Sequence, residues 1–118
     1  MMNANVTMTV RKAGSTACII DINGEINAQA ENVLMDAYTQ ACSDNPKSII
    51  LNFEGLEYMN SSGIGLLVTL LIRANRQKQR LMAFGLSEHY LQIFELTRLN
   101  EAIAILANET EALASANK

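Results

Sequence analysis

Runs of alternating apolar and polar residues at the start of the chain predict strands. Over residues 5–10 every second residue is apolar, as expected for a strand with one buried face. Gly14 and Ser15 predict a turn, and residues 16–22 predict a second strand. A turn this short can join only antiparallel neighbours, so the two strands should form a hairpin. We interpret Asn23-Gly24 as the end of the second strand.

The rest of the chain alternates between helical and strand patterns. Residues 28–42 carry an apolar stripe of helical spacing, and Pro46 follows the end of this predicted helix. The apolar, β-branched run at 48–53 predicts a central strand, and we interpret residues 54–60 (EGLEYMN) as a loop. Next come a helix at 62–79, a strand at 81–84, a helix capped by Ser87 that runs through Leu96, and a short strand within 102–106. We interpret residues 108–118 as a helix or a frayed terminus.

This order of elements predicts an α/β fold. Strands that alternate with helices imply right-handed crossovers and a mostly parallel sheet, here opened by an antiparallel hairpin. A chain of 118 residues has the commonest domain size. We therefore predict a single domain over residues 1–118, with a mixed sheet of four to five strands and interspersed helices.

Composition and charge narrow the class of protein. The 49% hydrophobic content suffices for a packed core, and a net charge of −3 gives no general attraction to nucleic acid or anionic lipid. The longest apolar run covers residues 64–72, well short of the roughly 20 residues that span a bilayer. No secretory signal is visible, and Cys18 and Cys42 lack CxxC spacing. We expect a cytoplasmic protein with reduced thiols that binds neither nucleic acid nor membrane.

One segment, EYMNSSGIG at residues 57–65, lies between the buried strand and the most apolar helix. Loops outside the carboxyl ends of strands are the usual ligand positions in open α/β sheets. Ser61 and Ser62 there would meet free backbone N–H groups at the positive end of a helix dipole. One interpretation is simple capping, with the glycines serving close packing. The other is a site that tolerates a phosphate, whose charge of about −1.5 to −2 could abolish docking of a partner.

The stretch IILNFEGLEYMNSSGIGLLVTLLI at residues 49–72 resembles the signature region of STAS domains, particularly the bacterial anti-sigma factor antagonists. In that family an apolar strand and a short loop lead to Asp-Ser-Ser-Gly-Leu-Gly at a helix start. The segments at residues 24–26, 81–87 and 93–99 also resemble family segments. The resemblance covers roughly residues 6–106, which is almost the whole chain.

The resemblance implies a partner switch without cofactor, metal or enzymatic activity of its own. The unphosphorylated antagonist binds an anti-sigma factor that is itself a serine kinase, and so frees the sigma factor. Phosphorylation of the first serine of the pair, here Ser61, separates the complex, and a metal-dependent serine phosphatase reverses it. The residue pattern alone leaves Ser61 and Ser62 equivalent; the choice of Ser61 rests on the family.

Two positions depart from the family pattern, in which the residues matching Asn60 and Asn27 are usually Asp. Each asparagine keeps a hydrogen-bonding side chain and deletes a negative charge. If the Asp caps the helix, Asn60 can replace it, but if the Asp contacts a basic group of the kinase, phosphorylation should be slow or absent. The alternative function is therefore a STAS scaffold or sensing module that docks without being phosphorylated.

The second predicted helix is apolar on two sides, which leaves its orientation open. Ile64, Leu67 and Val68 share one face, and Leu66 and Leu70 lie on the opposite face. If the first face packs on the sheet, Leu66 and Leu70 form an exposed docking patch beside the serines; otherwise a neighbouring helix covers them. The expected partner-binding residues are Asn27, Asn60, Ser61, Ser62, Gly63, Leu66, Leu70 and Arg73.

Further polar residues are candidate site residues. Arg73, Arg76, Lys78 and Arg80 form either a solvated face that complements the helix C-terminus or a binding site. His89 is the only histidine and has no Asp or Cys at ligand spacing, so we expect no metal or catalytic role. The chain has no G-x-S-x-G elbow and no glycine-rich loop of the P-loop or dinucleotide type, which argues against an enzyme.

Overall fold

The chain folds around one five-stranded mixed sheet whose strands follow their order in the sequence, in a computed structural model that describes residues 5–117. The strands are β1 (Val6–Ala13), β2 (Ala17–Ile26), β3 (Ser48–Met59), β4 (Arg80–Phe84) and β5 (Ala104–Leu106). The helices are α1 (Glu31–Ala41), α2 (Ser61–Arg76), α3 (Glu88–Leu96) and α4 (Glu109–Ala116). Short 3₁₀ turns occupy Ala28–Ala30, Cys42–Asp44 and Leu99–Glu101. The predicted α/β class is confirmed.

The sheet begins with the predicted hairpin. β1 is antiparallel to β2, and β2, β3, β4 and β5 are parallel neighbours. Gly14 lies in the connecting turn at a φ of +75°, a left-handed conformation that glycine adopts without strain. Because every parallel pair is joined through a helix, the carboxyl ends of β2 and β3 meet at the same edge of the sheet.

Two strands are longer than the sequence predicted. β2 continues to Ile26 instead of ending at Asn23-Gly24, and β3 includes most of the segment interpreted as a loop and ends at Met59. β4 pairs with β3 only as far as Asn52, so the later part of β3 is bonded to β2 alone, with two register shifts. Polar residues are tolerated in this extension because Glu54, Glu57 and Tyr58 point to solvent. Composition therefore suggested a loop where the backbone is extended.

The core lies mainly on one face of the sheet. Helices α1, α2 and α3 cover this face, and their buried side chains include Leu34, Leu67, Leu70 and Phe94. The opposite face is covered by α4, with a smaller cluster formed by Ala17, Ile19, Ile50, Met82, Phe84, Ala112 and Ala116. The last helix thus belongs to the folded domain, which decides between the two interpretations of the terminal segment as far as residue 117.

Charged contacts fasten α4 to the sheet. Arg11 forms ion pairs with Asp21 of β2 and, at 2.8 Å, with Glu109 at the start of α4. Asn52 donates a hydrogen bond of 2.7 Å to the Asp21 carboxylate. The hydrogen bond from Arg11, with a smaller contribution from Asn52, lowers the pKa of Asp21. At the other end of α4, Arg80 donates to the carbonyl oxygen of Ser115 at 2.9 Å.

Both cysteines are free thiols, as predicted. Cys18 is buried, and burial raises the pKa of its thiol, whereas Cys42 is half-buried. Among residues 5–117, no helix has both the length and the apolar character needed to cross a membrane.

Candidate functional site

The two serines occupy the first turn of α2, at the carboxyl edge of the sheet. Both are exposed, and helix α2 begins at Ser61, one residue earlier than predicted. Asn60 is the N-cap: its backbone is extended and its side-chain oxygen accepts a hydrogen bond of 3.0 Å from the N–H of Gly63. The N–H groups of the first turn have no carbonyl partner within the helix. The N-cap interpretation is confirmed, and the same geometry leaves the serines facing solvent at the positive end of the helix.

Asn27 and Asn60 lie next to each other. They follow Ile26 and Met59, which are register partners of the parallel strands β2 and β3. Asn27 caps the first 3₁₀ turn by accepting a hydrogen bond of 3.0 Å from the N–H of Gln29. In both asparagines the side-chain oxygen forms the capping bond, which a carboxylate oxygen could form equally well. The loss of charge at these positions therefore leaves the local fold unchanged.

The two glycines of the serine segment have different roles. A Cβ on Gly63 would lie 2.3 Å from the carbonyl oxygen of Ile26 and 2.8 Å from Cγ of Met59. Gly63 is buried, so it allows α2 to begin directly against β2 and presents no side-chain surface to a partner. A Cβ on Gly65 would meet no atom within 4 Å, and this residue is exposed. Only Gly65 contributes open surface beside the serines.

The predicted docking patch at Leu66 and Leu70 is wrong. Leu70 is fully buried in the core, and Leu66 is half-buried against it. The buried side of α2 consists of Gly63, Leu67, Leu70 and Ala74. Their spacing of four, three and four residues was present in the sequence, but glycine and alanine add little to an apolar signal. The small residues nevertheless mark the side on which the helix approaches the sheet.

The exposed side of α2 carries apolar residues in line with the first serine. Val68 and Ile72 are 39% and 47% exposed. They follow Ser61 and Gly65 at positions i+7 and i+11 of the helix, so all four share one side. We call this row, formed by Ser61, Gly65, Val68 and Ile72, the Ser61 stripe. Arg73 is exposed next to its far end, as a partner-binding residue must be.

Tyr90, which the sequence pattern does not mark as a site residue, holds the end of β3 before the serines in place. The hydroxyl of Tyr90 on α3 accepts a hydrogen bond of 2.8 Å from the N–H of Met59, and the tyrosine is 7% exposed. The strand before Asn60 is thereby held by β2 on one side and by α3 on the other. In the sequence, Tyr90 and Phe94 show the spacing of ordinary core positions, so only the fold reveals this bond.

The Asp, Glu, Lys and Arg residues in the segments near the serines are all acidic. The segments at the carboxyl edge of the sheet are residues 23–31, 53–62 and 85–90. They contain no Lys or Arg. They contain five acidic residues: Glu25, Glu31, Glu54, Glu57 and Glu88. A phosphate on Ser61 would find no cation in these segments to neutralise it. Among residues 5–117, no group of three or more His, Cys, Asp or Glu side chains could hold a metal ion.

The chain is similar in sequence and in structure to known proteins. The family model of the STAS domain matches residues 7–112. An anti-sigma-B factor antagonist of Staphylococcus aureus is 27% identical over 104 residues, which cover 88% of this chain and 94% of the relative. The crystal structure of an anti-sigma factor antagonist from Mycobacterium paratuberculosis has a TM-score of 0.82 at 16% identity, covering 99% of this chain and 100% of the other. The phosphorylated form of the Bacillus cell fate determinant SpoIIAA has a TM-score of 0.66 at 23% identity, covering 92% and 98%.

Proposed function

The chain belongs to the STAS domain family, and we propose that it acts as an anti-sigma factor antagonist that changes partners when Ser61 is phosphorylated. In the unphosphorylated state it binds an anti-sigma factor with serine-kinase activity in the cytoplasm. Phosphorylation releases the protein from the anti-sigma factor, and a metal-dependent serine phosphatase removes the phosphate and restores binding. The observation that carries the proposal is the exposed Ser61 hydroxyl on the first turn of α2, in a chain whose relatives include an anti-sigma-B factor antagonist.

The Ser61 stripe gives the switch a physical basis. An apolar partner surface that covers Val68 and Ile72 would also cover the Ser61 hydroxyl, because all three lie on one side of α2. A phosphate adds a charge of about −1.5 to −2 at one end of this contact. No cation of the edge segments compensates it, so docking would bury an unpaired charge. The helix N-terminus itself accepts an anion well, and the switch therefore acts on docking and leaves the fold intact.

The proposed docking surface replaces the leucine patch with the Ser61 stripe, bordered by Asn27, Asn60, Ser62 and Arg73. Val68→Glu should abolish binding of the kinase while leaving the free energy of unfolding nearly unchanged, because the side chain is exposed. The matched control is Leu96→Glu on α3, where the wild-type side chain is 84% exposed. Equal loss of binding in both variants, measured by calorimetry, would contradict the placement of the interface.

Phosphorylation is tested with the cognate kinase, captured from lysate with the Ser61→Ala variant. Incubation of each variant with kinase and ATP, followed by mass spectrometry, should modify the wild type and Ser62→Ala and leave Ser61→Ala unmodified. Modification of the Ser61→Ala variant at Ser62 would identify Ser62 as the regulated serine.

A non-phosphorylated STAS scaffold or sensing module is the second candidate, and Asn60 is the observation that favours it. A wild-type protein that stays unmodified yet binds the kinase tightly would identify this function. In that case Ser61→Asp should bind as well as the wild type. The Asn60→Asp variant then shows whether restoring a carboxylate at the cap also restores phosphorylation.

A further inference from the structure

The end of the sheet opposite the serines is basic. β2, β3 and β4 begin at this end, and α2 and α3 end there. Its basic residues are Lys12, Lys47, Arg73, Arg76, Lys78, Arg80 and Arg98. The acidic residues of this end are Asp44, Glu95 and Glu101, of which Asp44 pairs with Lys12 at 3.5 Å and Glu101 with Arg98 at 3.8 Å. Positive charge therefore accumulates at this end although the whole chain carries a net charge of −3.

A small cavity lies within this basic end. Its volume is about 240 Å³, and Tyr38, Arg73, Arg76 and Gln77 line it, with no acidic residue among them. Among the residues that the structure describes, neither arginine forms a salt bridge. The two guanidinium groups come from positions three residues apart on α2, which are neighbours on a helix surface.

The cavity has a fixed wall. Tyr38 is 5% exposed, and its hydroxyl donates a hydrogen bond of 2.7 Å to the side-chain oxygen of Gln79. The side-chain nitrogen of Gln79 in turn donates to Sγ of Cys42 at 3.4 Å. Burial raises the pKa of Tyr38, so the phenol stays neutral and adds no negative charge to the site.

Capping of α2 does not explain the two arginines. The carbonyl oxygens of the last turn already accept backbone hydrogen bonds: Gln77 donates to Arg73 and Ala74, Lys78 to Asn75 at 3.0 Å, and Gln79 to Ala74 at 2.9 Å. A general interaction with the helix dipole would also be satisfied by charges that point into solvent. Here both arginines line the same concave space.

We propose that this cavity binds a small phosphate-class oxyanion, either free phosphate or the phosphate group of a small metabolite. Guanidinium groups present planar pairs of N–H donors that match the oxygen atoms of phosphate. The volume lies below the roughly 300 Å³ at which pockets for larger organic ligands begin, which favours a compact anion. The site lies at the other end of α2 from Ser61 and uses no residue of the Ser61 stripe, although Arg73 also borders the proposed docking surface.

Titration with inorganic phosphate at constant ionic strength, followed by NMR of the backbone amides and arginine Nε–H groups, tests the site. The expected result is a saturable shift confined to α1 and the end of α2, with a dissociation constant on the order of 1 mM. Arg73→Gln and Arg76→Gln should each weaken binding about tenfold, as loss of a charge-assisted hydrogen bond predicts. The matched control Arg98→Gln, which removes a basic residue of the same end outside the cavity, should bind like the wild type.

Three results would overturn the proposal. The first is a chemical-shift change that rises linearly with phosphate and does not saturate. The second is a chemical-shift change at Arg98 as large as those at Arg73 and Arg76. Either result indicates general screening by salt. The third comes from sedimentation with vesicles of neutral lipid containing an anionic lipid. Binding to these vesicles without saturable binding of phosphate would assign the basic end to a membrane surface. Unchanged amide spectra away from α1 and α2 confirm that each variant is folded.

Discussion

Replacing Gly63 by alanine tests whether α2 is seated against β2 as the structure indicates. The new Cβ would lie 2.3 Å from the carbonyl oxygen of Ile26, so the helix or the strand must move by several tenths of an ångström or more. Overpacking of this kind costs about 1–3 kcal/mol. The shift also strains the capping bond from Gly63 to Asn60, worth about 1 kcal/mol. Alanine regains up to about 1 kcal/mol through its higher helix propensity. The net expectation is destabilisation by about 1–3 kcal/mol.

Gly65→Ala is the matched control because it places the same substitution two residues further along the same helix. No atom lies within 4 Å of its new Cβ, so only helix propensity applies, and the variant should be more stable by up to about 1 kcal/mol. Urea unfolding followed by circular dichroism measures both variants. The essential result is that the two substitutions change the free energy of unfolding in opposite directions. A Gly63→Ala variant as stable as Gly65→Ala would refute the close approach of α2 to β2 and, with it, the placement of the serine segment.

Two further predictions concern contacts away from the serines. Tyr90→Phe leaves the N–H of Met59 without its acceptor, so the free energy of unfolding measured in urea should fall by about 1–3 kcal/mol. Hydrogen exchange at the Met59 amide should also become faster. The control is Tyr58→Phe, at a side chain that is 53% exposed, and it should change neither quantity. The depressed pKa of Asp21, caused first by Arg11, means that this carboxylate stabilises the fold fully above its unfolded-state pKa of about 3.9, and that the stabilisation is lost as the pH falls through the lower folded-state value. The difference in free energy of unfolding between wild type and Asp21→Asn should therefore be constant near neutral pH and shrink on acidification, and a difference that grows in acid would contradict the assignment.

The opposed charges of the two ends bear on how a partner approaches. The serine edge is acidic, so a partner surface that contains basic groups would be attracted to it at long range, and the attraction would weaken with added salt. Phosphorylation increases the negative charge of this edge. For such a basic partner, the proposed release would not come from loss of long-range attraction but from the cost of burying the phosphate in the apolar contact along the Ser61 stripe. Measurement of association and dissociation rates separates the two effects, since burial acts mainly on dissociation.

The order of strands and helices, the hairpin, and a helix start at the two serines could all be predicted from the amino-acid sequence. These features depend on local periodicity, on turn residues and on a capping asparagine, which act over a few neighbouring residues. The resemblance to STAS domains covered the same segments, and the family is confirmed. The sequence also determined that α2 is apolar on two sides, but periodicity alone could not decide which side is buried.

The features that depend on contacts between distant segments could not be predicted from the sequence. Gly63 meets the carbonyl of Ile26, and this approach turns Leu70 into the core and leaves Val68 and Ile72 exposed. Residues 54–59 are extended because β2 pairs with them, although their composition is typical of a loop. The bond from Met59 to Tyr90 and the meeting of the serines with an acidic edge likewise join segments separated by tens of residues. Such contacts leave no periodic signal, because the physical cause of each residue's environment lies elsewhere in the chain.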